Sequence, residues 1–217
     1  MKQVTIPTGN ANAAGRPWVE GQSLGFTQPG KAHDLSLKIK DRDIADLLGI
    51  SLVLSDVDGV LTDGGIGYND AGQEFKQFHV RDGLGIKLWR MAGGQFGLLT
   101  ARSSPLVDRR AKELGVDFLV QGHESKLKQA RQIWQGLGLD SSQVCYIGDD
   151  LTDLPVLQSV GWSATVADGA AEVKSVARSI TTAAGGHGAV RELLEFILRA
   201  QGRWDSTVGT YLKSLES

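Results

Sequence analysis

The sequence predicts a doubly wound α/β domain built on a mainly parallel sheet, and three observations predict it. Short, continuous apolar runs recur along the chain, as in strands buried on both faces. Between them lie stretches with the period of amphipathic helices. Acidic, basic and hydroxyl residues follow the apolar runs directly, at the carboxyl ends of strands, where open α/β sheets bind ligands.

The elements follow in chain order. Residues 1–34 carry Pro7, Pro17 and Pro29, scattered glycines and no sustained apolar period, which predicts a flexible N-terminal tail before a single domain at 35–217. Leu52, Val53 and Leu54 form the first strand, and Gln95 to Leu99 the second. Phe118, Leu119 and Val120 form a third, and Val144 to Ile147 a fourth. Residues 163–166 and 178–181 are weaker strand candidates. Leu84, Leu88 and Met91 mark a helix starting near Asp82. Ser104-Pro105 reads as an N-cap with proline at the first helical position, ahead of Val107, Ala111 and Leu114. Leu127, Ala130, Ile133 or Trp134, and Leu137 stripe the next helix, and Val190, Leu193, Leu194, Ile197 and Leu198 the last. The interval from Asp56 to Asp82 breaks the rhythm. Its turn signal Asn69-Asp70-Ala71-Gly72 predicts a β-hairpin flap over about 64–80, and no gap is long enough for a cap domain.

Composition narrows the function. Of 217 residues 41% are apolar and 22% charged, enough to bury a substantial core. The net charge of −2 argues against a bulk grip on nucleic acid. The single cysteine, Cys145, excludes an internal disulfide and a cysteine-built zinc site. No apolar run approaches the ~20 residues of a membrane span, and no secretory core opens the chain, so the expected location is the cytoplasm. The 28 glycines, near twice the usual share of about 7%, are spread along the chain and suggest tight turns near a ligand.

Four segments deliver polar groups to one rim of the sheet: Asp56 and Asp58, then Thr100 and Arg102, then Lys126, then Asp149, Asp150 and Asp153. Alone, each has a plain reading as a turn, a strand-end hydroxyl, a solvated lysine or a helix cap. Their joint order after successive strands points to a site. Two carboxylates ~4 Å apart repel by about 4 kcal/mol at an effective dielectric near 20, and a phosphate would add to the repulsion. A divalent cation resolves it, and with only oxygen ligands at hand Mg²⁺ fits better than zinc.

Asp56-Val57-Asp58-Gly59-Val60, Thr100, Lys126 and Gly148-Asp149-Asp150-Leu151-Thr152-Asp153 together resemble the four motifs of the haloacid dehalogenase superfamily of phosphatases, over about residues 48–210. The absent cap resembles its capless branch. The stretches 58–64, 79–83 and 185–192 resemble the family of 3-deoxy-D-manno-octulosonate 8-phosphate phosphatases. The resemblance implies a Rossmann-like haloacid dehalogenase fold and an aspartyl-phosphate mechanism. It makes Asp56 the nucleophile and Asp58 the acid–base. Mg²⁺ would be held by Asp56, Asp149 and the Asp58 carbonyl, with Asp150 and Asp153 behind the ligands. Thr100 would bind a phosphoryl oxygen, and Lys126 would offset its charge.

The resemblance also implies substrate contacts at His79, Val80, Arg81, Asp82 and Gly83, and at Lys87, Arg102, Arg110 and Lys126. A carboxylate-bearing sugar suits the arginine fork. The expected substrate is 3-deoxy-D-manno-octulosonate 8-phosphate, in lipopolysaccharide sugar synthesis. The alternatives are a nine-carbon sialic-type acid 9-phosphate and a catalytically silent oligomeric module. The family's tetramers, with hairpins packed together over neighbouring sites, imply a homotetramer. The segment after Arg199, with Trp204 and Tyr211, reads either as a frayed terminus or as a tail reaching a neighbour's site.

Overall fold

The computed structural model describes residues 37–39, 44–123 and 125–216. The tail expected at 1–34 lies outside them. The elements run β1 (Lys38–Ile39), β2 (Leu52–Ser55), β3 (Gly67–Tyr68), β4 (Glu74–Phe75), α1 (Val80–Met91), β5 (Gln95–Leu99), α2 (Pro105–Leu114) and β6 (Phe118–Val120). They continue with α3 (Lys126–Gly136), β7 (Val144–Gly148), α4 (Leu154–Leu157), β8 (Trp162–Thr165), α5 (Ala171–Val176), β9 (Ser179–Ile180), α6 (Ala189–Ala200) and α7 (Trp204–Lys213). Short 3₁₀ turns occupy Ile44–Gly49, Ser141–Gln143 and Leu151–Asp153.

Seven strands form one sheet in the order β1-β9-β8-β7-β2-β5-β6. All neighbours are parallel except the edge pair β1–β9, which is antiparallel. The chain leaves β2 towards β5 and β6, then returns to β7 on its other side. That reversal creates a crevice beside β2, where ligands enter such sheets. Leu52 is in register with both Gln95 and Val144, so the carboxyl ends of β2, β5 and β7 are level.

Period-2 alternation sends the strand side chains to two cores. Val53, Phe96, Leu98, Cys145 and Ile147 pack under α1, α2 and α6. Leu52, Leu54, Val144 and Tyr146 pack under α3, α4 and α5. The flap is a two-stranded hairpin, β3–β4, whose turn is closed by Asn69 Oδ1 accepting from the Ala71 and Gln73 N–H groups. Among the described residues no domain is inserted between β2 and α1.

Several expectations are corrected. Helix α1 starts at Val80 and buries Asp82, Gly85, Ile86 and Trp89, a regular i, i+3, i+4, i+7 face. Of the expected stripe only Leu88 is buried, and Met91 is 39% exposed. The true face includes an aspartate and a glycine, which no hydropathy pattern marks. In α3 Trp134, rather than Ile133, is the buried residue of the pair. The segment after Arg199 is not frayed. Helix α7 packs against α1 and α6 of its own chain. Its Trp204 ring lies 4.9 Å from both the Arg191 and Arg199 guanidinium groups. The α2 cap stands as expected: Ser104 Oγ accepts from Leu106 N at 3.3 Å, with Pro105 first in the helix.

Candidate active site

The loop after β2 begins with Asp56, whose N–H donates to Ile147 O of β7 at 3.0 Å. Its carboxylate turns inward. Oδ1 accepts from Val57 N at 2.7 Å, and Oδ2 meets Lys126 Nζ at 2.6 Å. Lys126 opens α3, and its side chain is only 3% exposed. The same ammonium donates to Asp153 Oδ1 at 2.7 Å, and Tyr146 Oη donates to that oxygen at 2.6 Å. Asp153 Oδ2 accepts from Asp149 N at 3.0 Å and Asp150 N at 3.2 Å. One fully buried carboxylate thus orients the lysine, the tyrosine and the loop after β7.

The charge balance shapes the ionisation. Burial, then the Asp153 charge, pushes Asp56 up to about 7, against the pull of Lys126. Asp149 is pushed up to about 7 by burial and then by Asp153. For Lys126, burial works downward, but Asp56 and Asp153 outweigh it and hold the ammonium above its ordinary range. Two carboxylates that resist ionisation beside a fixed cation describe a site short of positive charge.

Carboxylate oxygens of Asp56, Asp149 and Asp153 lie within 4.8 Å of one another. Both Asp153 oxygens already have partners, whereas Asp149 Oδ1 is buried without one among the described residues. Asp149 is therefore the carboxylate with an oxygen left for a cation, Asp56 lies beside it in the same group, and Asp153 is tied up by its own partners. The all-oxygen donor set suits Mg²⁺. A Cβ at Gly59 would fall 2.1 Å from Asp149 Oδ2, so only glycine lets the two loops approach. A Cβ at Gly185 would fall 1.9 Å from Gly59 O, so the 185–186 loop braces the Asp58–Gly59 turn from behind. Gly186 N donates to Val60 O at 2.9 Å.

Asp58 faces the flap. Its Oδ1 is paired with Lys76 Nζ, and its Oδ2 lies 3.5 Å from Thr100 Oγ1 and 3.9 Å from Arg102 Nε. Glu74 ties this side together, taking Arg102 Nη2 at 3.0 Å, Ser104 Oγ at 2.6 Å and Lys76 Nζ at 3.5 Å. The Ser104 hydrogen bond leads in holding the Glu74 carboxyl below its ordinary range.

The remaining expected contacts divide. His79 ends the flap, with Nδ1 buried and unpartnered among the described residues. Arg110 lies over the Phe78 ring at 5.7 Å, and its Nη2 would be 2.7 Å from a Cβ at Gly83. Phe78, Gly83 and Arg110 therefore meet at the flap's base, while the His79 ring lies 3.7 Å from where a Cβ at Gly188 would stand. Val80 and Arg81 are exposed. Asp82 is 1% exposed and accepts from Arg191 N at 2.8 Å, securing the start of α6. Lys87 is exposed and sits 5.0 Å over the Tyr211 ring of α7. Asp150 is exposed and accepts from Leu151 N at 2.8 Å. His187 closes its own turn, Nδ1 lying 2.7 Å from Gly185 O.

Sequence reasoning missed Glu74, Lys76 and Tyr146. The signal for the first two was alternation: Glu74 and Lys76 share one strand face while Phe75, 60% exposed, takes the other. For Tyr146 it was a hydroxyl on a strand buried on both faces, which demands a partner.

Comparison with known proteins places this geometry among relatives. Residues 116–193 match the family model for haloacid dehalogenase-like hydrolases. The 3-deoxy-D-manno-octulosonate 8-phosphate phosphatase of Haemophilus influenzae is 41% identical over 174 residues, covering 79% of this chain and 96% of the relative. The Moraxella catarrhalis enzyme of that name, solved with magnesium, phosphate and the sugar acid, superposes with a TM-score of 0.75. It is 42% identical, over 77% of this chain and 97% of that one. A cobalt-bound structure of the Haemophilus influenzae phosphatase gives 0.71 at 41% identity, over 73% and 93%.

Proposed function

The chain belongs to the haloacid dehalogenase-like hydrolases, in the family of the 3-deoxy-D-manno-octulosonate 8-phosphate phosphatases, and from that membership we propose that it hydrolyses this phosphate through an aspartyl-phosphate. It is a phosphatase. The observation that carries the chemical reading is Asp56, Lys126 and Asp149 converging from three segments on one buried point.

Asp56 attacks phosphorus, and the sugar alkoxide leaves with a proton from Asp58. Asp58 then takes a proton from water, whose oxygen attacks the same phosphorus and releases Asp56 and inorganic phosphate. Lys126, fixed by Asp153, faces the phosphoryl oxygens, and Thr100 donates to one of them. Asp56, Asp149 and the Asp58 carbonyl would hold Mg²⁺, which supplies positive charge to carboxylates and phosphoryl group alike. Arg102, Arg110 and His79 would take the sugar's carboxylate and hydroxyls.

The flap exposes Ile66, Tyr68 and Phe75 at 53%, 59% and 60%. A second copy covering them fits a homotetramer in which hairpins meet. No described helix is long and apolar enough to cross a membrane. A cytoplasmic site of action suits a sugar phosphate substrate.

The test is phosphate release across sugar phosphates and sugar-acid phosphates, with Mg²⁺ and with EDTA. A sharp preference for the eight-carbon acid 8-phosphate supports the reading. Preference for a nine-carbon acid 9-phosphate replaces the substrate, and no release from any compound overturns the chemistry.

A further inference from the structure

Lys76 belongs to the flap, yet its side chain is 1% exposed and its ammonium is paired with Asp58 Oδ1. No other described residue of the flap reaches the carboxylates of the rim. The contact is not a chance collapse of a long side chain. Glu74, two residues earlier on the same strand face, is fixed by Ser104 Oγ at 2.6 Å and Arg102 Nη2 at 3.0 Å. Both partners stand on the β5–α2 loop, in the rigid part of the domain. Glu74 in turn lies 3.5 Å from Lys76 Nζ. The flap is therefore pinned to that loop through Glu74, with Tyr68 of β3 also bonded to Arg102, and the Glu74 pin sets where the lysine ends.

The consequence falls on one atom pair. With Oδ1 taken by Lys76, the Asp58 carboxylate cannot rotate freely. Oδ2 is left pointing at Thr100 and Arg102, on the side where the leaving oxygen would stand. A proton donor must lie within hydrogen-bond reach of its acceptor, and small misplacements are costly in rate.

We propose that Lys76 is a positioning residue, held by Glu74, which fixes the Asp58 carboxylate so that Oδ2 is the oxygen that exchanges the proton with the leaving group and with water. The inference rests on the reading of Asp58 as the acid–base. It makes the flap part of the proton-transfer apparatus of its own chain, besides any cover it gives to a neighbour.

The experiment compares two leaving groups in the full-length, Mg²⁺-loaded enzyme. A sugar alkoxide needs a proton to leave, whereas p-nitrophenolate does not. Lys76→Met is expected to lower kcat/KM on the sugar-acid phosphate, which reports the step in which the alkoxide leaves, by about 10²-fold, the scale of a general-acid contribution. On p-nitrophenyl phosphate it should lower kcat/KM only a few-fold, because hydrolysis of the aspartyl-phosphate, common to both substrates, enters kcat and not kcat/KM. Lys76→Arg should restore most of the loss, and Glu74→Gln should show the same leaving-group pattern more weakly. Equal losses of kcat/KM on both substrates, or no loss on either, overturn the proposal. Should Lys76→Met fold poorly, seen as a collapsed thermal midpoint, Glu74→Gln and Lys76→Arg decide the matter alone. Asp58→Asn separates the two levels: if it lacks leaving-group dependence the acid–base reading fails, and if it has it while the flap variants do not, only the proposal fails.

Discussion

Lys126 reaches Asp56 at 2.6 Å from a position that Asp56 does not determine. Asp153 holds the same ammonium at 2.7 Å and is itself held by Tyr146 and two backbone N–H groups. On the proposed mechanism the cation therefore stands ready for the phosphoryl charge before any substrate arrives, which is how a site avoids reorganising during reaction.

Replacing Asp56 by asparagine should abolish phosphate release, by 10³-fold or more as an order of magnitude, while leaving the fold in place. Asparagine keeps the shape of a side chain that burial already drives towards neutrality. Circular dichroism and a thermal melt alongside the assay check this, and retained turnover would remove Asp56 from its role.

Tyr146→Phe should lower kcat about tenfold or less and leave KM nearly unchanged. The hydroxyl touches Asp153 and not the substrate side of the site. The lost bond also leaves Asp153 one donor short, at a cost of about 1–3 kcal/mol, read as a lower melting temperature.

Metal dependence should carry a pH signature. Asp56 and Asp149 both lie near 7 without a cation, raised from about 3.8. A raised carboxyl favours the folded state most below its unfolded value, and that contribution fades as pH rises through the folded one. The metal-free protein should thus lose stability between about pH 4 and 7. The rise in melting temperature on adding Mg²⁺ should be small at pH 5 and large at pH 8. A Mg²⁺ shift that is flat with pH would separate the cation from these two groups.

Asp82→Ala should act on stability more than on substrate affinity. Its carboxylate accepts from Arg191 N at 2.8 Å and is buried. Loss of that bond costs about 1–3 kcal/mol, and ~2–4 °C in melting temperature for each kcal/mol in a domain of this size. A large rise in KM at an unchanged melting temperature would return Asp82 to the substrate.

Gly185→Ala should disable the enzyme without touching substrate. Its Cβ would stand 1.9 Å from Gly59 O, displacing the Asp58–Gly59 turn that lies against Asp149. Activity and Mg²⁺ affinity should fall together.

The central strands were legible because burial on both faces leaves a continuous apolar run, as in Leu52 to Leu54 and Val144 to Ile147. The convergence of Asp56, Lys126 and Asp149 was legible because each follows the carboxyl end of a strand. The face of α1 was hidden because Asp82 and Gly85 do there what apolar residues do elsewhere: one caps α6, and the other lets the Arg191 backbone within 2.9 Å of where a Cβ would be. Helix α7 was hidden because its stripe of Trp204, Val208 and Tyr211 is short and shares its face with buried Thr207, while two cation–π contacts on Trp204 help to hold its start. Strand β1 is two residues long and has no pattern to read. Lys76 and Glu74 were missed because their partners lie far along the chain, on Asp58, Arg102 and Ser104.

The brace of Gly185 behind Gly59 has a consequence for how the protein is made. The aspartates at 56 and 58 leave the ribosome well before their backing loop at 185–186 is translated. At about 5–20 residues per second, the interval is on the order of ten seconds. Throughout it a nascent chain carries the two aspartates without the support behind their turn. On the proposed mechanism activity waits for residue 185, and a product stalled before it would be inert, whatever share of the sheet it had already folded.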